Sequence, residues 1–250
     1  EIIYPVIFDG RKTQSWGMTA LIVGARKEAG GGVREGWSVF RGTQNLVELF
    51  SFEDNTAPKP EEILDKRGIF DDYNGKCNYQ ITTGVVGNFD TEGWGVIKYT
   101  NLTSTGEPGQ DVLWVDTDFP LFRLGDVYLM YAEAVARGGE GGDISTAVGY
   151  VNELRDRAYG ETPHNKIDAA WLTANNYQNI LDERGRELYW EGVRRIDLIR
   201  FGKYTSSSYT WPAKGGVITG VGVNERYNIF PIPISDISVN GSLEQNEGYK

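Results

Sequence analysis

The chain has 250 residues, a formal net charge of −10, a pI near 4.8 and a hydrophobic content of 40%. That length buries a sizeable core, in one large domain or two small ones. The acidic balance excludes nucleic acid as the main partner, because phosphate neutralisation needs clustered Lys and Arg, and it suits a neutral or cationic ligand. The single cysteine, Cys77, rules out a disulfide scaffold, and no apolar run approaches the roughly 20 residues that cross a bilayer.

Residues 1–118 read as a loop-rich region. The chain opens on EIIYPVIF, a strand pattern interrupted by Pro5, which suits a sheet edge. An opening inside a strand, without an initiator Met, is expected of the later part of a longer precursor. DGRKTQSWG and the glycine-rich EAGGGVREGW hold neither a helical nor a strand period. NLVELF (45–50) predicts a short helix, and Pro60-Glu61-Glu62 a helix start with acids in the first turn. YQITTGVVGNF and WGVIKYTNL predict short strands punctuated by glycine.

Residues 119–250 read as a helical scaffold. Leu124, Val127, Tyr128, Tyr131, Ala134 and Val135 recur at helical spacing. GGEGG (138–142) ends that helix, Asp143 caps the next, and Ile144, Ala147, Val148, Val151 and Leu154 form its apolar stripe before Gly160 stops it. Asn175 or Asn176 is expected to cap a third helix, and VRRIDLIRFGKY to form a fourth. Two successive antiparallel pairs of this kind stack as solenoid units do. In the tail, Pro231 and Pro233 at alternate positions favour extended or polyproline geometry, an extended strap across the helices. The predicted fold class is therefore mainly α, tetratricopeptide-like helix pairs with a large irregular region and a few short strands.

Catalytic sets are hard to assemble. His164 is the only histidine, so histidine metal sites and Ser–His–Asp catalysis would both run through one residue of a polar loop. Cys77 has no CxxC partner, and neither a phosphate loop nor a GxSxG elbow is present. Carboxylates are plentiful, which keeps a glycosidase pair in view. Most of them, however, sit at helical spacing from arginine: Asp182 with Arg186, Glu191 with Arg195, Asp197 with Arg200. That spacing predicts structural ion pairs. The aromatics point elsewhere. Trp16, Trp37 and Trp94 lie beside glycine in SWG, EGWS and EGWG. A loop tryptophan either folds back as a plug or is offered to a ligand, and sugar rings present C–H faces that stack on indoles while their hydroxyls pair with polar side chains. Arg11 and Gln14 stand near Trp16, and Arg41 near Trp37, so Trp16, Trp37, Trp94, Arg11, Gln14 and Arg41 form the candidate ligand set. No metal and no cofactor is implied.

FPLFRLGDVYLMYAEAVAR, AVGYVNELRDRAYG, ILDERGRELYWEGVRRIDLIRFGKY and IFPIPISDI…QNEGY, with the opening EIIYPVIFDGRKTQSWG and WSVFRGTQNLVELF, resemble the carboxy-terminal half of the SusD/RagB family. The pattern ERxRELxxEGxRxxDLIRxG is the specific part, and the resemblance runs over nearly the whole chain. Gly125 departs from the usual alanine, and Gly185 from a bulkier residue. The resemblance implies a non-catalytic, glycan-binding surface lipoprotein of the Bacteroidetes outer membrane, seated on a SusC-like TonB-dependent transporter. It also implies that the lipid anchor lies outside this chain, in an amino-terminal half, so Cys77 is not the lipidated residue. The RagB branch implies peptide capture instead. A helical-repeat adaptor and a glycoside hydrolase are the readings from other classes.

Overall fold

In the computed structural model the described residues are all but 57, 84–89 and 161–164, so His164 and the second half of the strand expected over 79–89 fall outside them. Contacts gather into two units, Glu1–Thr82 with Gly87–Arg194, and Thr83–Val86 with Arg195–Lys250. The division does not fall at residue 118. β1 (Ile2–Val6) pairs antiparallel with β5 (Phe119–Arg123), which joins the two halves expected from the sequence. Pro5 stands opposite Pro120, where neither residue can donate to the ladder, and the register slips between Tyr4 and Pro5. This ribbon leaves Ile2, Ile3, Tyr4, Leu121 and Phe122 exposed.

Within the first unit, α1 (Trp16–Ala25) is a ten-residue helix in a stretch where the sequence predicted none. WGMTALIVGA is apolar almost all round, so it carries no amphipathic period. Its Met18, Ile22 and Val23 pack with Val33 and Val115 in a small core. β2 (Arg41–Gly42), β3 (Phe70–Asp71) and β4 (Trp94–Val96) make an antiparallel sheet of order β2-β4-β3. α2 (Gln44–Val47) and a single 3₁₀ turn at Pro60–Glu62 match the short elements expected there. Val47, Phe50, Phe52, Phe70, Trp94 and Tyr189 form the second core.

The helices are α3 (Leu124–Ala136), α4 (Ile144–Tyr159) and α5 (Ala169–Leu188). α4 follows its sequence closely. The Asp143 carboxylate accepts the Thr146 N–H at 2.7 Å, Ala147, Val151 and Leu154 are buried, and Gly160 ends the helix at φ +83°. α3 does not. Its buried face is Gly125, Leu129, Ala132 and Glu133, one position away from the predicted stripe. The stripe instead gives a half-exposed face on which Tyr128 stacks on Tyr150 of α4, centroids 4.2 Å apart. α5 starts earlier than expected, capped by Asp168, whose carboxylate accepts the Trp171 N–H. The asparagines expected as its cap lie in a left-handed kink, Asn175, Asn176 and Tyr177 at φ +52°, +54° and +64°. α3 packs against both α4 and α5. The second helix pair does not form within one unit, because α6 (Arg194–Arg200) has only seven residues and falls, after Arg194, in the second unit.

The second unit is built on α6. Arg195 reaches the Tyr227 carbonyl at 2.5 Å and lies over the rings of Tyr204 and Phe230. Arg200 donates to the buried Asp197 at 2.8 Å. In the tail the alternate prolines isolate one amide between them. The Gln245 side chain takes both its groups, accepting from Ile232 N–H and donating to Ile232 C=O, each at 2.8 Å. Extended geometry stops there: α7 (Ile234–Val239) begins directly after Pro233, where a helix N-terminus needs no N–H from the proline.

An ion lattice organises the first unit, with partners other than those expected. Arg186 donates to Glu183 rather than Asp182, which accepts from Gln178, and Glu191 takes Arg123 and Lys98 rather than Arg195. Glu187 accepts from Arg67, Arg123 and Arg157 at 2.9, 2.6 and 2.5 Å, and Glu183 accepts from Arg155 and Arg186. Burial would raise both carboxyls. The surrounding arginines, Arg67 foremost for Glu183 and Arg123 for Glu187, outweigh it and hold both at about 2. The helix glycines follow from this. A Cβ on Gly125 would come within 2.6 Å of the Arg123 guanidinium and 2.9 Å of the Glu187 carboxylate, and one on Gly185 within 2.6 Å of Leu49. Gly125→Ala is therefore expected to lower the melting temperature although alanine gains roughly 0.8–1.0 kcal/mol of helix propensity. Because the folded-state values are depressed, the carboxylates stabilise the fold above about pH 4.5 and lose that contribution as pH falls towards about 2. Glu187→Gln should cost roughly 3–5 kcal/mol at neutral pH, since the buried Arg123 and the largely buried Arg67 each lose a charged partner, and should flatten the acid limb of a urea-stability profile.

Candidate functional site

Three indoles meet in the first unit. Trp16 lies 5.4 Å from Trp37 at an interplanar angle of 43°, and 4.6 Å from Trp114 at 67°. Trp16 and Trp37 are 49% and 38% exposed, and Trp114 is half-buried beneath them. The three rings come from three segments, each placed by main-chain bonds.

Trp16 is the first residue of α1. Ser15 caps the helix by accepting the Gly17 N–H, and a Cβ on Gly17 would strike the Phe8 ring at 2.5 Å. Gln14, just before the cap, holds φ +40°. Trp37 opens a segment laced to the end of the same helix: Trp37 N–H donates to Val23 C=O, Ser38 to Arg26, and Val39 and Phe40 both to Gly24. Ser38 takes φ +57°, so a left-handed residue flanks each of the two exposed tryptophans. Trp114 sits in a turn whose N–H groups at 113 and 114 both donate to the Asp111 carboxylate, at 2.7 and 2.9 Å. These bonds hold the Asp111 carboxyl below its ordinary value.

Three side chains tie the Trp114 segment to the one bearing Trp16. Asp116 accepts from Gly10 N–H, Asp118 accepts from Phe8 N–H, and Thr19 Oγ accepts from Val115 N–H. Gly10 has to be glycine for that contact, because a Cβ would lie 2.3 Å from the Trp114 carbonyl oxygen.

The other members of the ligand set go to different places. Arg11 and Gln14 are exposed in the turn before α1, and the charge of Arg11 reaches Asp111 beside Trp114. Arg41 is directed away from the indoles, over the Tyr73 ring at 4.3 Å and towards the Gly93 carbonyl, with a further bond to Ser38 Oγ. It supports the Trp37 segment from behind. Trp94 is corrected outright. It is 2% exposed on a central strand, its indole N–H donating to the Cys77 carbonyl at 2.9 Å, so it plugs the core. Trp114 escaped the sequence reading because no glycine flanks it in DVLWVD. The available signal was Asp111, an acid three residues ahead that caps the turn. Cys77 is buried, and burial pushes its thiol up.

Among the described residues, no group of three His, Cys, Asp or Glu side chains could hold a metal ion, and no helix is long and apolar enough to cross a membrane. The site offers flat apolar faces with polar groups at the edge, which is chemistry for holding a ligand by stacking. Gly10→Ala should displace Trp114 and weaken the circular-dichroism exciton band of the coupled indoles, while Gly149→Ala, whose added Cβ meets nothing within 4 Å, should leave that band in place.

Residues 71–249 match the model of the SusD family. The starch-binding protein SusD of Bacteroides thetaiotaomicron is 34% identical over 285 aligned residues, covering 100% of this chain and 49% of that protein. The surface glycan-binding protein A of the same organism, solved in complex with laminarihexaose, has a similar fold, with a TM-score of 0.64 and 22% identity over 98% of this chain and 52% of the other. A SusD-like protein of Bacteroides fragilis gives a TM-score of 0.67 at 19% identity, covering 100% and 54%. The chain spans about half the length of these relatives.

Proposed function

We propose, from the premise that this chain belongs to the SusD family, that it forms the glycan-contacting half of a non-catalytic surface receptor. The observation that carries this reading is the indole cluster in which the exposed Trp16 and Trp37 meet the half-buried Trp114. Indoles in contact at an angle give a faceted apolar surface on which sugar faces stack, while Arg11 and Gln14 on the neighbouring turn supply polar partners for hydroxyls. The cluster is prebuilt by backbone bonds, so little ordering cost is left for the moment of binding.

The acids support a passive role. A glycosidase needs one carboxyl with a raised pKa to act as general acid. Glu183 and Glu187 are instead buried and held at about 2 by arginines, the opposite bias. In the intact protein the receptor delivers oligosaccharide to a SusC-like TonB-dependent transporter at the outer-membrane surface, anchored by lipid outside this chain. The half-exposed aromatic and apolar strip Trp37–Val39–Phe40 keeps one second reading in view, peptide capture of the RagB kind.

Trp16→Ala combined with Trp37→Ala should abolish retardation in affinity electrophoresis through soluble polysaccharide, with the melting temperature little changed, because both rings are already solvent-exposed. Unchanged retention by the double variant removes the indoles from the site. A melting temperature raised by a peptide mixture and not by oligosaccharides would select the peptide reading.

A further inference from the structure

The first unit holds a second concavity whose residues do not overlap the indole cluster. It is an open cleft of about 1230 Å³ lined by Asn55, Thr56 and residues 58–61, by β3 and by the turn 72–80. Its floor is sealed by Phe70, Tyr79 and Trp94, which are core side chains, so no exposed aromatic face is offered there. Its rim is polar, with Asn55, Asn74, Lys76 and Asn78 exposed around it.

The rim turn is held in a conformation that L-residues avoid. Tyr73 and Asn74 sit at φ +59° and +61°, followed by Gly75 at +73°, and a non-glycine residue in that region is disfavoured. Four groups enforce it. The Asp71 carboxylate accepts the Tyr73 N–H and the Asp72 carboxylate the Gly75 N–H, at 2.7 and 2.9 Å, while the Asp72 carbonyl takes the N–H groups of Lys76 and Cys77. Beneath, the buried Tyr73 hydroxyl donates to the Ala25 carbonyl at 2.6 Å. The strain thus serves to aim the Asn74 side chain outward on a rigid base.

The rim amides differ from others in the same unit. Asn101, Asn152 and Asn179 each use their side-chain N–H groups on backbone carbonyls. Among the described residues, the side chains of Asn55 and Asn74 make no such bond, and Asn78 uses only its oxygen, towards Gln80 N–H. Carboxamides pair with hydroxyls as both donor and acceptor. Charges around the cleft nearly offset one another, Lys59 and Lys76 against Glu61, Asp71 and Asp72, which disfavours a strongly charged ligand.

From this geometry we infer a second carbohydrate site, in which a neutral, hydroxyl-rich oligosaccharide is gripped along its edge by the carboxamides of Asn55, Asn74 and Asn78. It is separate from the indole cluster in residues and in mode, hydrogen bonding in place of ring stacking. The test is a nuclear magnetic resonance titration of the side-chain amide signals with maltohexaose, laminarihexaose and xylohexaose, on the chain carrying Trp16→Ala and Trp37→Ala. At least one probe is expected to shift the Asn55, Asn74 and Asn78 signals saturably. Asn55→Ala with Asn74→Gly, the latter keeping the left-handed turn, should then weaken that binding about tenfold, as loss of two hydrogen bonds would. Absence of saturable shifts with all three probes, or unchanged affinity in the cleft variant, overturns the proposal. The indole reading is scored separately, by the Trp16 and Trp37 indole N–H signals of the unsubstituted chain.

Discussion

Glu187 has three arginines from three places in the chain: Arg67 before β3, Arg123 at the end of β5 and Arg157 near the end of α4. One buried carboxylate on α5 thereby ties together the approach to β3, the end of β5 where α3 begins, and the end of α4. An apolar contact in its place would tolerate sliding. A carboxylate with buried guanidinium partners does not, because any displacement leaves charge unpaired in a low-dielectric interior. The lattice also reaches outward. Glu1 pairs with Arg123 and Arg157, which pins the start of β1. A two-stranded ribbon with apolar side chains in water is marginal alone, and here it is held at its end by charges belonging to the lattice.

The indole cluster uses a different kind of restraint. Among the described residues, no ion pair positions the three rings. Backbone N–H groups at 8, 10, 113, 114 and 115 each meet a carboxylate or hydroxyl, and those at 37–40 meet carbonyls at the end of α1. Loops held in this way keep their side chains available, since the ordering is done by the main chain. Glycine is required where two such loops cross, at Gly10 against the Trp114 carbonyl. Scaffold and indole cluster are therefore separable: side-chain charges order the helices, and side-chain caps on backbone amides order the indoles.

That separation explains which parts could be read from sequence. α4 was legible residue by residue, because its cap, stripe and stop are all local signals. So was the Asp197–Arg200 pair, at i,i+3. The rest of the lattice was legible as a lattice but not in its partners. Spacing suggested Asp182–Arg186 and Glu191–Arg195, whereas the real partners of Glu183, Glu187 and Glu191 include Arg67, Lys98, Arg123, Arg155 and Arg157, remote in sequence. Gly125 looked like a small helix defect for the same reason, since the Arg123 guanidinium beside it is held there by the Glu187 carboxylate, remote in sequence. In the site, SWG and EGWG look alike as strings. Trp94 is separated from Trp16 only by pairing in a three-stranded sheet, which no local pattern encodes.

The two restraints both rest on carboxylates kept ionised by their surroundings, and they differ in what surrounds them. Asp111 and Asp116 are held below the ordinary carboxyl value, by backbone N–H bonds for Asp111, and for Asp116 by such bonds outweighing the cost of burial. Glu183 and Glu187, which burial alone would raise, are held at about 2 by arginine. All four carboxylates therefore stay ionised through mild acidification, in the Trp114 segment as in the lattice. What separates the two restraints is solvent: Asp111 and Asp116 are partly exposed, whereas Glu183 and Glu187 are buried, so losing the charge costs the fold far more in the lattice than in the turn.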